Sequence, residues 1–324
     1  MAKGVGLFSG GLDSILAVKV LQDQAIEVIG VTFCSPFFGA KGAKEAAQRM
    51  KMDHRIVDIT GEHLEMVRHP KHGYGRNMNP CIDCHAMMFR KAGELMEREG
   101  ADFLFSGEVL GERPMSQNRG SLVRVARESG YEPVILRPLS AKLLPETQPE
   151  REGKVDRQCL LDLRGRGRKR QMELAAHYGI PNYPNPAGGC LLTDAIFSRR
   201  LRDLFQHSDS VTPREVELLK VGRHLRLDDR CKIVVGRNQG ENKKLSELRV
   251  PNDMILDVKG YPSPLALIPG GAPETLVPLA VAILLRYSDA PGDQTAVVIA
   301  RDARGEREII ARASNPEQTV RFQI

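Results

Sequence analysis

The sequence predicts an α/β protein: a parallel β-sheet with helices on both faces, followed by a smaller α+β domain. Two observations lead there. In the first third of the chain, short apolar runs suited to buried strands alternate with amphipathic stretches, the rhythm of strand–helix–strand units whose strands run parallel. Beyond about Arg226 the texture changes to short β-prone runs, Cys231 to Gly236 (CKIVVG) and Thr295 to Ala300 (TAVVIA), separated by glycine and proline turns.

The elements follow in order. Gly4 to Phe8 reads as a buried strand, Gly10-Gly11 as a tight turn, and Leu12 to Gln22 as a helix with Ile15, Leu16, Ala17, Val20 and Leu21 facing inward. Glu27 to Phe33 is the next strand, Ala43 to Met52 a helix and Arg55 to Ile59 a strand. Ile82 to Glu99 is a long helix closed by Gly100, and Asp102 to Phe105 a further strand. This is a Rossmann-like sheet, and such sheets bind ligands outside the carboxyl ends of their strands. Leu143 to Asn185 is rich in proline, glycine and charge. Helical patterns recur in Asp194 to His207 and Thr212 to Leu219, and an apolar helix is expected near Pro273 to Tyr287. The predicted division is 1–190 for the first domain, 191–225 for a helical connector and 226–324 for the second domain.

The chain has 324 residues and a net charge of +6. Residues 1–150 are neutral, 151–250 carry +8 and 251–324 carry −2. The densest part, Arg164, Arg166, Arg168, Lys169 and Arg170, favours a phosphate-rich partner, with a solvated charged loop as the alternative. The longest uncharged apolar run, Leu276 to Leu285, is ten residues and contains Pro278, against the roughly 20 of a bilayer span. Neither a membrane segment nor a signal peptide is predicted, so the expected location is the cytoplasm, where thiols stay reduced. The six cysteines therefore do not suggest a disulfide framework.

Ser9-Gly-Gly-Leu-Asp-Ser14 joins the first strand to the first helix. Paired glycines let backbone N–H groups turn toward an anion at the positive end of a helix, so the loop can cradle phosphate. Ser9 and Ser14 can donate hydroxyl hydrogen bonds, and Asp13 can hold Mg²⁺. Neither GxxxxGK[ST] nor GxGxxG occurs at this turn. The loop resembles the SGGxDS signature of the PP-loop ATP pyrophosphatases. That resemblance implies an adenine nucleotide alpha hydrolase-like fold, ATP cleaved between its α and β phosphates, and an adenylated carbonyl oxygen. Ser9, Gly10, Gly11, Asp13 and Ser14 would bind the nucleotide. Gly107 and Glu108 lie where this family has a further ATP-side loop.

Cys81 and Cys84 form a CxxC at the start of the long helix, in Asn79-Pro-Cys-Ile-Asp-Cys-His85, where the positive helix end favours thiolate. Three readings of these residues compete: c-type haem attachment, which needs export; zinc held with Cys190 and a histidine such as His85; and an iron–sulfur cluster with three thiolates and one open iron. Asn79 to Phe89 and Pro186 to Cys190 resemble the two cysteine sites of tRNA thiolation enzymes, the 2-thiouridylases and 4-thiouridine synthetases with their cluster-bearing relatives. The resemblance extends to Leu136 to Leu139 and Gln171 to Pro181. It implies a tRNA sulfurtransferase with a sulfide or persulfide carrier as donor. Cys84 and Cys190 would be its sulfur-transfer pair, and Cys81 would complete the ligands of a [4Fe-4S] cluster.

Val234 to Leu245 (VVGRNQGENKKL) resembles the GRN-x-x-x-N pattern of the NFACT-R domain, which implies RNA contacts from Arg237, Asn238 and Asn242; a hairpin turn is the alternative. The rival readings are a PP-loop sulfur transferase or ligase acting on a small molecule, and a zinc-stabilised RNA-binding protein. His69 and His72 lie near the CxxC, as substrate contacts or as exposed loop residues.

Overall fold

The computed structural model describes residues 1–183 and 190–324. They form two compact units, Met1–Thr193 and Asp194–Ile324.

The first unit contains β1 (Lys3–Leu7), α1 (Leu12–Gln22), β2 (Glu27–Cys34), α2 (Lys41–Met50), β3 (Asp53–Asp58), α3 (Thr60–Arg68), α4 (Cys81–Arg98), β4 (Phe103–Ser106), α5 (Arg119–Ser129), β5 (Ile135–Leu136), α6 (Gln148–Arg151) and α7 (Lys169–His177). Its sheet has the order β3-β2-β1-β4-β5, every pair parallel. Side chains alternate across a pleated strand, and two separate cores result. Val28, Phe103, Phe105 and Leu136 pack with α1, α2 and α7 on one face. Val5, Ile29, Val31, Leu104 and Ile135 pack with α4 and α5 on the other. The chain moves from β1 to β2 on one side and returns to β4 on the other, so a crevice opens at the carboxyl ends of β1 and β4.

Expected helices and strands of this unit occur within a few residues of their predicted bounds, and five further elements, α3, α5, β5, α6 and α7, are not among those predicted. β5 is two residues long. α3 carries little apolar signal. α5 had a usable one: Asn118 caps it by accepting from the Ser121 amide at 2.9 Å, Leu122, Val125 and Ala126 face inward, and Gly130 ends it in the left-handed region at φ +82°.

The second unit contains α8 (Ala195–His207), α9 (Pro213–Leu218), β6 (Arg223–Arg226), β7 (Lys232–Val235), α10 (Gln239–Glu247), β8 (Met254–Val258), β9 (Ala266–Ile268), α11 (Val277–Arg286), β10 (Ala296–Asp302), β11 (Gly305–Ala311) and α12 (Pro316–Val320). Six strands pair antiparallel in the order β11-β10-β8-β9-β7-β6. The apolar face of α11 covers one side of the sheet, and Leu218 and Leu245, from α9 and α10, cover part of the other. The stretch 191–225, expected as a connector, is not a separate piece. α8 and α9 belong to the second unit because their polar side chains are buried in it. Arg200 donates to the Leu219 and Gly222 carbonyls at 2.8 and 2.9 Å, and Asp203 pairs with Arg226 at 2.7 Å. Among the described residues no helix is long and apolar enough to cross a membrane.

Candidate nucleotide and cysteine site

The glycine–serine loop leaves β1 at the crevice. Gly10 has φ +73°, and a Cβ there would lie 2.7 Å from the Ala43 Cα, so both its conformation and its close approach to α2 demand glycine. The loop is held by its serines: the Gly11 amide donates to Ser9 Oγ at 3.2 Å, and Ser14 Oγ donates to the Gly11 carbonyl at 2.8 Å. No side chain caps α1, which leaves the positive end of an eleven-residue helix facing the crevice. Gly107, expected to bind nucleotide, has a packing role. A Cβ on it would sit 2.5 Å from the Asp13 carbonyl carbon and the Ser14 amide nitrogen, so glycine lets the loop after β4 lie against the first turn of α1.

Asp13 is surrounded by groups that the sequence patterns did not assign to it. Burial pushes its carboxyl up, opposed by the charges of Arg168 and Arg113 and by a hydrogen bond from Gln171. Glu112 is pushed up by burial and then by the Asp13 charge. One Asp13 oxygen, Oδ1, is buried with no hydrogen-bond partner, as is Arg168 Nε. An orphaned carboxylate oxygen beside a second carboxylate fits a hard divalent cation such as Mg²⁺. Arg168, expected to steer RNA, is thus turned toward Asp13. The loop 164–170 is anchored by the Gly165 amide donating to the Leu110 carbonyl at 2.8 Å. Arg164, Arg166, Lys169 and Arg170 remain exposed, with Arg170 paired to Asp162 at 2.7 Å.

A long-range tether brings the turn after Cys190 beside the residues that precede the CxxC. The Met78 amide donates to the Leu192 carbonyl at 3.1 Å, and Asn77 Nδ2 donates to the Thr193 carbonyl at 2.6 Å. These bonds hold the residues just before the CxxC against the turn Leu191–Thr193, which follows Cys190. The motif Pro186 to Cys190 lies outside the described residues except for Cys190 itself. All three thiols are raised rather than ionised. Burial pushes Cys81 and Cys190 up, each also feeling the Arg113 charge, and burial followed by the Cys190 and Cys81 charges pushes Cys84 up further. Burial thus works against the thiolate that the helix end would favour.

Cys84 has a partner that motif reading missed. Its Sγ lies 3.4 Å from His63 Nε2, and His63 Nδ1 lies 3.1 Å from Ser35 Oγ. The imidazole has no exposed surface, stacks edge-on against Phe37 and Phe38, and is held neutral by burial, down to about 4. In the tautomer that gives Nδ1–H to Ser35, Nε2 accepts the Cys84 S–H. Only the tertiary structure reveals this row, since Ser35, His63 and Cys84 are far apart in the chain. Among the described residues no three Cys, His, Asp or Glu side chains are placed to hold one metal ion; the donor set matches a three-thiolate cluster in kind, while Cys84 points to His63.

His85 Nδ1 is 2.9 Å from Glu108 Oε1, and among the described residues His85 forms no three-donor group with the cysteines. Glu108 also accepts from Arg137 Nε at 2.9 Å and Ser106 Oγ at 3.0 Å. Burial alone would raise this carboxyl; the Arg137 charge and the His85 hydrogen bond overcome it and hold it down at about 2. His72 is similarly structural, its Nδ1 2.8 Å from Asp83 in the first turn of α4. His69 is exposed, 3.8 Å from Glu65.

In the second unit the expected RNA contacts are engaged within their own motif. Asn238 caps α10 by accepting from the Glu241 amide at 3.0 Å, Arg237 Nε donates to Glu241 at 2.9 Å, and Asn242 Oδ1 accepts from the Leu265 amide at 3.1 Å. Arg237 nonetheless keeps an exposed side chain.

Fold and site together define a class: a doubly wound α/β unit with a glycine–serine loop at its switch point beside a cysteine site, and a separate antiparallel unit. Comparison with known proteins names its parts. Residues 222–322 match the family model of the NFACT protein RNA binding domain. The chain is 30% identical over 103 residues to the tRNA-specific 2-thiouridylase MnmA 3 of Bacteroides fragilis, covering 31% of this chain and 28% of that one. It is 31% identical over 117 residues to the probable tRNA sulfurtransferase of Methanosarcina mazei, covering 34% and 29%. A crystal structure of a 4-thiouridine synthetase–RNA complex with bound ATP is similar over 42% of this chain and 36% of its own, at 23% identity and TM-score 0.35. The chain thus matches less than a third of the length of these two curated relatives. It pairs a unit similar to PP-loop tRNA thiolation enzymes with a domain that matches the NFACT RNA binding family.

Two outcomes follow from this geometry. Gly107→Ala forces a backbone shift at Asp13 and Ser14 and costs about 1–3 kcal/mol, read as a lower urea midpoint together with weaker ATP binding. Glu108→Gln leaves Arg137 buried without its counter-charge and costs about 3–5 kcal/mol. Because the folded carboxyl lies at about 2 and an unfolded one near about 4.3, its contribution is complete above about 4.3 and is lost as pH falls toward about 2. Urea titrations across that window should show a steeper acid loss for the wild type than for the glutamine variant.

Proposed function

We propose that the protein is an ATP-dependent tRNA uridine thiolase. The observation that carries this reading is the loop after β4: Gly107 lies against Asp13 and Ser14 of the nucleotide loop, and Glu108 holds His85 of the CxxC helix. One loop serving both groups argues that nucleotide and sulfur chemistry share a crevice.

A uridine carbonyl oxygen attacks the α-phosphorus of ATP, the bond to the β-phosphate bridging oxygen breaks, and pyrophosphate leaves. The loop amides, Ser9, Ser14 and the end of α1 bind the phosphates, and Arg113 and Arg168 offset charge on the departing group. Mg²⁺ held by Asp13 would supply further charge neutralisation. A sulfur nucleophile then attacks the adenylated carbon, AMP leaves with the former carbonyl oxygen, and a proton is released as C=S forms.

Cys81, Cys84 and Cys190 would hold a [4Fe-4S] cluster, whose fourth iron would offer sulfide a binding site. The Cys84–His63 contact favours a second reading of the sulfur step. In it, Cys84 carries a persulfide whose outer sulfur attacks the base, and Cys190 then attacks the Cys84 sulfur. The S–S bond to the transferred atom breaks as a Cys84–Cys190 disulfide forms, and an external thiol reduces that disulfide for the next turnover. The exposed cations Arg164, Arg166, Lys169 and Arg170 would steer tRNA by its phosphates, with Arg237 as a contact in the second unit.

Nucleoside mass spectrometry of tRNA from cells with and without the gene should show loss of one thionucleoside. Asp13→Asn and Cys190→Ala complementation should each restore less than about 1% of it, given the roughly 10²–10³-fold cost of removing a group that stabilises the transition state. An unchanged thionucleoside profile, or no tRNA binding at low salt, overturns the proposal. Iron and labile sulfide in anaerobically purified protein separate the cluster reading from the persulfide one.

A further inference from the structure

The second unit holds an excess of buried positive charge beside a small cavity. Arg226 and Lys232 face each other across β6 and β7, and like charges directly opposite repel. Asp203 bridges them: it accepts from Arg226 Nε and Nη2 at 3.1 and 2.7 Å, and its Oδ2 lies 3.3 Å from Lys232 Nζ. Arg200 adds a third cation from α8 and spends its hydrogen bonds on the Leu219 and Gly222 carbonyls rather than on a carboxylate. Arg200, Asp203 and Lys232 are each 9% exposed. Two cations therefore share one carboxylate, and the Arg200 charge also bears on Lys232, in a region where unpaired charge is costly.

The cavity beside them has a volume of about 130 Å³ and is walled by His207, Glu215, His224, Arg226, Arg230 and Lys232 among others. The one acidic wall residue is committed elsewhere: Glu215 accepts from the Thr212 amide and hydroxyl, both at 2.8 Å, in a helix cap. His224 is 2% exposed, and its Nδ1 has no hydrogen-bond partner. Arg230, on the turn between β6 and β7, is exposed, and no ion-pair or side-chain hydrogen-bond partner is seen for its guanidinium among the described residues.

We infer that this cavity binds a phosphate group, with Arg226, Lys232 and Arg230 as its ligands. The volume lies well below the roughly 300–1,000 Å³ of pockets for drug-sized molecules, so it suits one headgroup rather than a whole nucleotide. Guanidinium and ammonium groups at a half-enclosed site match phosphate oxygens, and the ligand's negative charge offsets the buried excess. Burial draws the Lys232 ammonium down to about 8, with Asp203 pulling against it, as expected for a cation short of counter-charge. The phosphate could belong to RNA, as a terminal monoester or a backbone diester, or be free in solution. The inference does not depend on the thiolation chemistry.

The test is calorimetric titration of the full chain with inorganic phosphate, a short 5′-phosphorylated RNA and the same RNA lacking its terminal phosphate. Inorganic phosphate should bind, and Arg230→Gln should weaken it about tenfold or more, the loss of one charge-assisted hydrogen bond. Arg230 is exposed, so this variant should fold; Lys232→Met serves as the stronger perturbation, with circular dichroism as a check. Arg230-dependent preference for the phosphorylated RNA identifies a terminal monoester, and equal Arg230-dependent binding of both RNAs identifies the backbone. If Arg230→Gln changes neither phosphate nor RNA binding, the inference is overturned, while the thionucleoside experiment stands unaffected.

Discussion

The first unit depends on a carboxylate that has no business being charged where it is. Glu108 is buried at the end of β4, and it stays ionised only because Arg137, His85 and Ser106 converge on it. Those partners come from the end of β5, the CxxC helix and β4. Arg137 also donates to the Leu122 carbonyl of α5 at 3.2 Å. One buried charge therefore ties two strands and two helices at the mouth of the crevice. The neighbouring residue, Gly107, lies against the first turn of α1, so the same loop sets the distance between the nucleotide loop and the cysteine helix. A buried pair of this kind is weak evidence for net stability; its value here is geometric, since a single arrangement satisfies all the partners.

Burial organises the chemistry as well. It raises the carboxyls of Asp13 and Glu112 and the thiols of Cys81, Cys84 and Cys190, and it keeps His63 neutral. Groups held in their uncharged or repelling forms gain from a ligand of opposite charge. A cation at the acids would relieve the same kind of cost that phosphate would relieve in the second unit, where Arg226 and Lys232 share Asp203. In both units the polar groups left short of partners lie where the proposed ligands would bind.

Much of the fold was legible in the chain, because apolar periodicity is a local property. The helix Leu12–Gln22 has the bounds that its pattern predicts, and Gly10 and Gly11 mark the turn before it. The change of texture after Arg226 was visible too, although the second unit begins earlier, at Asp194. The reason is physical: α8 is amphipathic like any surface helix, and only the burial of Arg200 and Asp203 shows which core it serves. Motifs likewise identified residue types better than roles. Gly107 is a packing glycine, Asn238 is a helix cap, and Arg168 turns inward.

The sequence by itself determined the alternating α/β architecture, the glycine–serine loop between the first strand and helix, the three cysteines and the concentration of positive charge at 151–250. Each of these rests on neighbours in the chain: a period, a turn or a short spacing. Tertiary structure alone decided what those residues touch. It brought the turn after Cys190 to the CxxC through bonds spanning more than a hundred residues, placed His63 on Cys84, and set the ionisation of each group by its depth. Spacing along a chain carries no information about such distances, and hydration, which fixes the charge states, is lost only when the fold closes.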